Sequence, residues 1–369
     1  MKYCVRFIRS HAVFIIATVL AAITCFIVPP DEGYKSYVDF KTLSCLLATL
    51  CVVCALKNIK FFTILARKII HSTPNLRICV LALIYITFIG SLFIANDMAL
   101  ITFLPLGWYV LHDTGNEKYT PWLFVLQNIA ANLGGMLTPF GNPQNLYLYS
   151  YFNIPTREFC AIMLPPFLLA IAMLVIACLP IKAEKLTIGE KFPEKLNASR
   201  TALYVAMFVF SLLIVFRVVP YWIGLILIPS VLFFVDREAL KMVDYPLLGT
   251  FFFFFIFAGN LARVDVVNEV ISSLLNKDTL LVSILSCQGI SNVPSAILLS
   301  RFTTDYRALL LGVNIGGTGT LIASLASLIT FSEFRILYPG QGKRYFWLFT
   351  LINAIFLVVM TLAAKLFLL

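Results

Sequence analysis

The segment GGMLTPFGNPQNLYL, residues 134–148, interrupts an otherwise apolar part of the chain. It lies inside a candidate membrane span, residues 119–152, with PWLFVLQNIAANLGGML before the interruption and LYLYSYF after it. Pro139 and Pro143 lack backbone N–H groups and Gly141 lies between them, so the stretch TPFGNPQN cannot continue an α-helix. The sequence therefore predicts a broken helix over 119–152, unwound near its middle.

The composition indicates a helical membrane protein. Of the 369 residues, 60% are hydrophobic and only 12% are charged, with a mean hydropathy of +0.93, which is far from the balance of a water-soluble domain. Apolar stretches close to the roughly 20 residues that cross a bilayer recur along the chain, without the alternating pattern of barrel strands. We therefore predict an all-α polytopic membrane protein. The strongest predicted spans are 11–28, 42–56, 158–180, 201–217, 220–235, 246–260 and 345–367.

The net charge of +10 does not indicate nucleic-acid binding, because the basic residues lie in short loops between the predicted spans. They precede the first span, follow the second and fill the polar segment 181–200. Enrichment in Lys and Arg is typical of cytoplasmic loops. We therefore expect a multi-pass protein of the cell inner (plasma) membrane, in contact with the lipid bilayer, with a cytoplasmic N-terminus and a cytoplasmic linker at 181–200.

The segment IANDMALITFLPL, residues 94–106, places Asn96 and Asp97 between two apolar runs. If residues 77–111 crossed the membrane twice, the basic loops that follow would not lie on the cytoplasmic side. A re-entrant hairpin keeps them on the cytoplasmic side and brings Asn96 and Asp97 close to the middle of the bilayer. Non-helical backbone is tolerated there where it lines a water-filled cavity.

The second half of the chain repeats the order of the first. Residues 279–303 form a second predicted re-entrant hairpin, and residues 306–332 a second predicted broken helix that contains GGTGT. We therefore divide the chain into two inverted repeats, 1–180 and 201–369. Two hairpins and two broken helices in inverted halves are the architecture of a secondary transporter. Aligned without gaps, the repeats pair Gly134-Gly135 with Gly316-Gly317, Asn132 with Asn314, Thr138 with Thr320 and Asn96 with Asn292.

The hairpin tips and unwound segments offer ligands for ions. Helix N-termini can hold an anion, and unwound carbonyls with neutral oxygens and amides suit a hard, weakly bound cation. The candidate binding residues are Asn96, Asp97, Thr138, Gly141, Asn142, Asn145, Ser291, Asn292, Thr318 and Thr320. For Na⁺ itself the expected ligands are Asn96, Asp97, Asn145 and Asn292. We expect Na⁺ or H⁺ as the coupling ion and no other cofactor.

Asp97 has two interpretations. A carboxylate inside a bilayer is costly and is a functional candidate by default, either as a cation ligand or as a proton carrier. Alternatively, Asp97 caps a helix that begins at Met98. Its counterpart in the second repeat is Val293, so either role is confined to the first repeat.

These segments resemble those of the ion transporter superfamily. IANDMALITFLPL resembles the first hairpin of its arsenite-permease and sodium–proton-antiporter branch, and GGMLTPFGNPQNLYL is similar to its broken-helix motif. SNVPSAILL and GGTGTLIASLAS resemble the second hairpin and the second broken helix. The resemblance covers residues 42 to 367 in order, and includes citrate-transporter-like proteins and divalent anion–sodium symporters. It implies a homodimer and an elevator-like motion of the hairpin domain.

The resemblance also implies two cation sites. In relatives that carry di- and tricarboxylates with sodium, each hairpin tip reads Ser-Asn-Thr. Here the tips read Ala95-Asn96-Asp97 and Ser291-Asn292-Val293, so both Thr positions differ, which argues against a carboxylate substrate. The first implied site contains Asn96, Asp97, Gly141 and Asn145, and the second contains Ser291, Asn292, Thr320 and Ser324.

The sequence therefore predicts a secondary active transporter, not an enzyme, that moves a small di- or tricarboxylate-like anion coupled to Na⁺ or H⁺. The alternative within the same fold is a sodium–proton antiporter or an arsenite-type efflux permease. Asp97 favours this alternative, but the carboxylate-poor second half argues against it, since exchange usually needs more than one titratable group. An intramembrane enzyme is disfavoured because the sequence contains no recognisable nucleophile set or metal motif.

Overall fold

The computed structural model describes residues 12–186 and 196–367. Within these ranges the chain is helical, and a single isolated β-bridge joins Asn75 to Lys185. Seven of the described helices are long and apolar enough to cross a membrane. The predicted all-α polytopic membrane fold is therefore confirmed. The basic N-terminal residues and the central part of the predicted linker lie outside the described residues.

The first half contains helices that match the predicted spans, the first hairpin and the first broken helix. They are α1 (Ala12–Ile27), α2 (Phe40–Asn58), α3 (Phe61–His71), α4 (Leu76–Phe93), α5 (Asn96–Asp113), α6 (Thr120–Gly134), α7 (Pro143–Tyr151) and α8 (Thr156–Cys178). Helices α4 and α5 form a helix–turn–helix over the hairpin predicted at 77–111, and α6 and α7 are the two parts of the helix predicted at 119–152. That the hairpin is re-entrant stays a prediction, since α4 is itself long and apolar enough to cross a membrane.

The second half follows the same order, with one helix more before its hairpin. Its helices are α9 (Ala198–Val215), α10 (Tyr221–Val235), α11 (Arg237–Lys241), α12 (Tyr245–Ala262), α13 (Asp265–Ile290), α14 (Asn292–Leu299), α15 (Tyr306–Ile315), α16 (Leu325–Leu337) and α17 (Gly342–Phe367). Asp278 interrupts α13 with φ −164° and ψ 90°, and its carboxylate caps the next turn by accepting the Leu281 N–H at 2.9 Å. The second predicted hairpin therefore begins at this kink and turns at Ser291.

Two helix boundaries differ from the predictions. Helix α7 begins at Pro143, so the last three residues of TPFGNPQN are helical rather than unwound. Proline is well accommodated at the first position of a helix, because the N–H it lacks would have no intrahelical partner. At the first hairpin tip, α5 begins at Asn96 and not at Met98.

The described helices pack as two groups. In the first group, α1 packs along α12, and α9 and α10 pack along α2; we call these five the framework helices. In the second, α4 and α5 pack on α6, α13 and α14 pack on α15, and α16 contacts α5 and α6. These helices, with α7, α8 and α17, are the central helices. The hairpins and broken helices of both halves thus form one body beside the framework.

Large apolar side chains cover the outside of the molecule. Phe26 on α1 is 89% exposed and Phe234 on α10 is 81% exposed. Such surfaces are unfavourable in water and are satisfied by lipid. The buried polar residues are concentrated instead on the central helices, where α6 alone carries Gln127, Asn128 and Asn132.

Candidate functional site

The two hairpin tips are built in the same way. Asn96 and Asn292 are the first residues of α5 and α14, and they are 4% and 3% exposed. Each side-chain Oδ1 accepts a hydrogen bond from the next backbone N–H, that of Asp97 at 3.0 Å and that of Val293 at 2.9 Å. The second tip also contains Ser291 with φ 75°, a left-handed conformation that is uncommon outside glycine. The two asparagine amides are thus held in matching orientations.

Both tips contact the broken helices at one place. The Asn96 Nδ2 donates to Asn132 Oδ1 at 3.1 Å, and the Asn292 backbone N–H donates to the Ala323 carbonyl at 3.0 Å. A Cβ atom at Gly317 would lie 3.0 Å from Asn292 Nδ2 and 3.5 Å from Asn132 Oδ1. The absence of a side chain at Gly317 therefore lets the two tips approach both breaks.

Asn145 organises the first break. Its Nδ2 donates to the carbonyls of Gly135, Met136 and Thr138 at 3.2, 3.1 and 3.3 Å. Its Oδ1 accepts from Asn314 Nδ2 at 2.6 Å, which joins the first break to the end of α15. Asn145 is fully buried, and its oxygen, predicted to bind Na⁺, already accepts one hydrogen bond.

The remaining predicted residues of the first break lie around Asn145. The Thr138 hydroxyl donates to the Leu92 carbonyl of the hairpin at 3.0 Å, and the Gly141 N–H donates to the Thr138 carbonyl at 3.3 Å. The Asn142 Nδ2 donates to the Asn132 carbonyl at 3.3 Å, whereas its Oδ1 is buried and has no hydrogen-bond partner. A buried oxygen without a donor is costly unless something else satisfies it.

Gln288 organises the second break, a role that the sequence analysis missed. Its Nε2 donates to the carbonyls of Gly316 and Thr318 at 2.9 and 3.2 Å, and its Oε1 accepts the Thr320 N–H at 2.9 Å. The Thr320 hydroxyl donates back to the Gln288 carbonyl at 3.0 Å. The hydroxyl of Thr318 donates to the Ile315 carbonyl at 2.7 Å. The alignment had paired Thr320 with Thr138, and both hydroxyls donate to a hairpin carbonyl.

Ser291 and Ser324 both lie next to Ala323, the first through a hydrogen bond and the second as the following residue in the chain. The Ser291 hydroxyl donates to the Ala323 carbonyl at 3.4 Å. Ser324 is the N-cap of α16, where its Oγ accepts the Ser327 N–H at 3.2 Å. The structure therefore brings Ser291, Asn292 and Ser324 to one side of the second break, and Gln288 links Thr320 to the same hairpin.

A cavity of about 390 Å³ lies against both hairpin tips. Helices α5, α7, α14 and α16 all begin at its wall, with Asn96, Pro143, Asn292 and Leu325 as their first residues. A helix N-terminus carries a partial positive charge of up to about half an elementary charge. The four N-termini, two from each half, direct partial positive charge at this cavity, and no Lys or Arg lines it in the described part of the chain.

Asp97 lines the same cavity. Its Oδ1 is buried and has no hydrogen-bond partner, and no backbone N–H donates to its side chain among the described residues. The interpretation of Asp97 as a helix cap is therefore wrong: the helix begins one residue earlier, and the side chain of Asn96 accepts the Asp97 N–H instead. Asp97 remains a candidate ligand for a cation.

Two further residues of the cavity wall were missed from the sequence. Gln144 is 1% exposed, and its Oε1 has no hydrogen-bond partner. Asp244 caps α12, where its Oδ1 accepts the Leu247 N–H at 3.0 Å. Gln144 belongs to the unwound motif and was identifiable there. Asp244 carries no such signal, because it precedes an ordinary predicted span.

Two arginines join the framework to the central helices away from this cavity. The Arg217 Nη2 donates to the Tyr149 carbonyl at 2.6 Å, with the guanidinium 4.3 Å from the centre of the Tyr149 ring. The Arg301 Nη2 donates to the Tyr37 carbonyl at 2.6 Å. Both contacts must break if the two groups of helices move past each other.

Comparison with known proteins places the chain among transporters. The family described as "Citrate transporter" matches residues 5–306. An uncharacterized transporter of Methanocaldococcus jannaschii is 32% identical over 350 residues, which cover 92% of this chain and 93% of that protein. The inner membrane protein YbiR of Escherichia coli K12 is 29% identical over 336 residues, 88% of this chain and 87% of that protein.

A more distant similarity extends over part of the chain. The silicon efflux transporter LSI3 of Oryza sativa subsp. japonica is 29% identical over 157 residues, which cover 42% of this chain and 31% of that protein. The family match covers both predicted hairpins and the first predicted broken helix, and the Methanocaldococcus jannaschii relative covers 92% of the chain. The chain belongs to the citrate transporter family, within the ion transporter superfamily, and is a multi-pass membrane transport protein.

Proposed function

We propose that the protein is a secondary active transporter of the inner membrane that moves a small di- or tricarboxylate-like anion together with Na⁺ or H⁺. The observation that carries this proposal is the cavity at the two hairpin tips, where four helix N-termini and a partly unsatisfied carboxylate share one wall. Such a wall has groups for an anion and a group for a cation, as coupled transport requires.

The anion would be held by backbone dipoles and neutral side chains. The N-termini of α5 and α14 come from the two hairpins, and those of α7 and α16 come from the two broken helices. Asn96, Asn292 and Ser291 add amide and hydroxyl groups to the wall. Selection of a carboxylate without arginine suits a solute that is released again after crossing the membrane.

The coupling cation would bind at the first tip. Its ligands are Asp97, with its unpartnered Oδ1, together with Asn96 and the backbone at Gly141 beside Asn145. A matching second site would contain Asn292 and the other residues around Ala323, which are Ser291, Thr320 and Ser324. A hard cation such as Na⁺ prefers these oxygen ligands.

We also infer that transport involves a movement of the central helices relative to the framework, in a homodimer with a cytoplasmic N-terminus. The most extensive helix contacts lie within each of the two groups, with α12 on α14 and α2 on α7 packing between them, and this division supports such a movement. The arginine contacts at Tyr149 and Tyr37 would then hold one end state.

A sodium–proton antiporter or an efflux permease is the second candidate. Asp244 favours it, because the cavity then contains two titratable groups, Asp97 and Asp244, where the sequence had suggested one. The partial similarity to a silicon efflux transporter also supports an outward direction.

The test is electrogenic current from reconstituted protein on a supported membrane. A mixture of citrate, succinate and malate is applied with and without Na⁺ at two pH values, for the wild type, Asp97→Asn and the control Asp305→Asn. Asp305 caps α15 through the Ala308 N–H at 3.0 Å and is exposed, so its variant changes a charge outside the cavity.

We expect a Na⁺- or pH-dependent carboxylate current in the wild type and in Asp305→Asn, and a loss of this dependence of at least about tenfold in Asp97→Asn, equivalent to roughly 1.4 kcal/mol. A current that follows a Na⁺ or pH jump without any carboxylate would favour the antiporter. An unchanged cation dependence in Asp97→Asn would exclude Asp97 from coupling.

A further inference from the structure

Asp244 is an acidic group of the cavity that the proposed transport cycle does not use. It precedes α12, a framework helix, whereas Asp97 belongs to the first hairpin of the central helices. Both side chains line the 390 Å³ cavity, so one acid from each group of helices faces the same space. Two like charges at one cavity wall repel each other unless a cation lies between them.

Gln144 provides a second observation, independent of the two acids. This residue is 99% buried, with 1% of its surface exposed, and its Oε1 has no hydrogen-bond donor. It lines the same cavity, where the Asp97 Oδ1 is also buried without a partner. A buried acceptor left unsatisfied destabilises the folded protein, and a bound cation would satisfy it.

The chemistry of these ligands identifies the cation. Two carboxylates and one amide oxygen are hard ligands, which select Na⁺, Ca²⁺ or Mg²⁺ over soft metals. Ca²⁺ requires six to eight oxygen ligands and usually more carboxylates, and the described residues contain no group of three His, Cys, Asp or Glu suited to a metal. Mg²⁺ demands near-ideal octahedral geometry and gives up its waters reluctantly, which does not suit a site that opens when the helices move. Na⁺, with water completing its shell, is therefore the cation that fits.

We propose that Asp244, Gln144 and Asp97 form a Na⁺ site that joins framework helix α12 to the central helices. The inference rests on the proposed function in treating Asp97 as a cation ligand, and it adds a ligand from the other group of helices. A movement of the central helices along the framework would separate Asp97 from Asp244. The site is therefore complete in one conformation, and Na⁺ bound there stabilises that conformation.

The experiment measures Na⁺ binding directly, without transport. Full-length protein purified in detergent is titrated with ²²Na⁺, and its melting temperature is recorded in NaCl and in choline chloride. The variants are Asp244→Asn and the matched control Asp305→Asn. Asparagine is as good an N-cap as aspartate, so both variants keep the cap of their helix and lose only the charge.

We expect the Na⁺ affinity of Asp244→Asn to fall at least tenfold, and the rise in melting temperature caused by NaCl to shrink with it, because a ligand stabilises only in proportion to its binding. Asp305→Asn should behave like the wild type in both measurements. If Asp244→Asn does not yield folded protein, Gln144→Leu removes the third ligand and should weaken Na⁺ binding in the same direction.

Equal Na⁺ affinity and equal NaCl stabilisation in the wild type and Asp244→Asn would overturn the inference. Its failure is distinguishable from that of the proposed function. Weaker Na⁺ binding by Asp244→Asn in a protein that gives no carboxylate current supports the cation site and refutes carboxylate transport. A carboxylate current from the wild type, together with unchanged Na⁺ binding by Asp244→Asn, supports carboxylate transport and refutes the cation site.

Discussion

The two hairpin tips share a backbone arrangement but differ in charge. Asn96 and Asn292 each begin a helix and each accept the following N–H. The residue that donates is Asp97 in the first tip and Val293 in the second, and both line the same cavity. The geometry that brings a helix N-terminus to the cavity is thus duplicated, whereas the carboxylate is not. The first tip therefore brings a helix N-terminus and a carboxylate to the cavity, whereas the second brings only a helix N-terminus.

The two breaks differ in the side chain that pairs their unwound backbone carbonyls. The Thr138 hydroxyl donates to the Leu92 carbonyl of the first hairpin, and the Thr320 hydroxyl donates to the Gln288 carbonyl of the second, both at 3.0 Å. The amide that satisfies the unwound carbonyls, however, comes from Asn145 after the first break and from the Gln288 side chain before the second. Buried carbonyls must be paired, but which residue pairs them is free to differ.

The largest expected effect is the difference between Asn145→Leu and Gln288→Leu. Asn145→Leu leaves the buried carbonyls of Gly135 and Met136 without this donor, at about 1–3 kcal/mol for each group. It also removes one of two partners from the Thr138 carbonyl and from the Asn314 amide. Gln288 is only half-buried, so water can replace part of what it donates. We expect Asn145→Leu to lose monodisperse protein on size-exclusion chromatography, and Gln288→Leu to be recovered with a lower melting temperature.

Equal losses in the two variants would contradict this comparison, since they would show that burial does not decide the cost. A control is Asn268→Leu, which removes an exposed side-chain amide that donates to the Ala262 carbonyl at 3.1 Å. Its melting temperature should stay close to that of the wild type, because exposed hydrogen bonds are readily replaced by water.

The sequence predicted the elements of this fold well because their signals are local. Pro139, Gly141 and Pro143 mark the first break, and an Asn between two apolar runs marks each hairpin tip. The start of α7 was placed three residues late, because a proline both ends one helix and can begin the next. Periodicity and helix breakers therefore define the elements but leave their ends uncertain by about a turn.

A second comparison concerns the glycines of the two breaks. A Cβ atom at Gly134 would lie 2.8 Å from the carbonyl carbon of Phe88, so α4 and α6 would have to separate. At Gly317 its nearest neighbour would be a side-chain atom rather than backbone, the Asn292 Nδ2 at 3.0 Å. We expect Gly134→Ala to lower the free energy of unfolding by about 1–3 kcal/mol, as overpacking does.

Gly317→Ala should change thermal stability less and reduce the transport current more, because the methyl group enters the place where both tips meet. The two measurements, melting temperature and initial current, are made on the same preparations. A Gly317→Ala variant with normal current would mean that the meeting point of the tips is not used by the solute or its cation.

The site was less predictable than the fold, because its residues meet across the chain. Asn96, Asp97 and Asn292 were identified from their unusual position in apolar sequence, and the structure places all three at one cavity. Asp244 and Gln288 were not identified from the sequence. Asp244 resembles an ordinary helix cap, and Gln288 resembles an ordinary polar residue near a turn. Only the packing of α12 on the helices of the second hairpin brings Asp244 to the cavity that Asp97 also lines.

The smallest expected effect concerns an exposed contact between the two halves. Arg263 donates to both carboxylate oxygens of Asp31 at 3.0 and 2.7 Å, and the side chains are 43% and 45% exposed. The Arg263 guanidinium holds the pKa of Asp31 below its ordinary value of 3.8. A lowered folded-state pKa contributes stability that is present above pH 3.8 and is lost as the pH falls through the folded-state pKa.

Asp31→Asn should therefore lower the melting temperature only slightly at neutral pH, less than any of the buried-site variants, because solvent and salt screen such a pair. The difference from the wild type should shrink further in high salt and disappear in acid, once Asp31 is protonated in the folded protein. A large fall in melting temperature at neutral pH that does not depend on salt would show that this ion pair holds the two halves together. The buried amide network at the breaks would then not be the main connection between the halves.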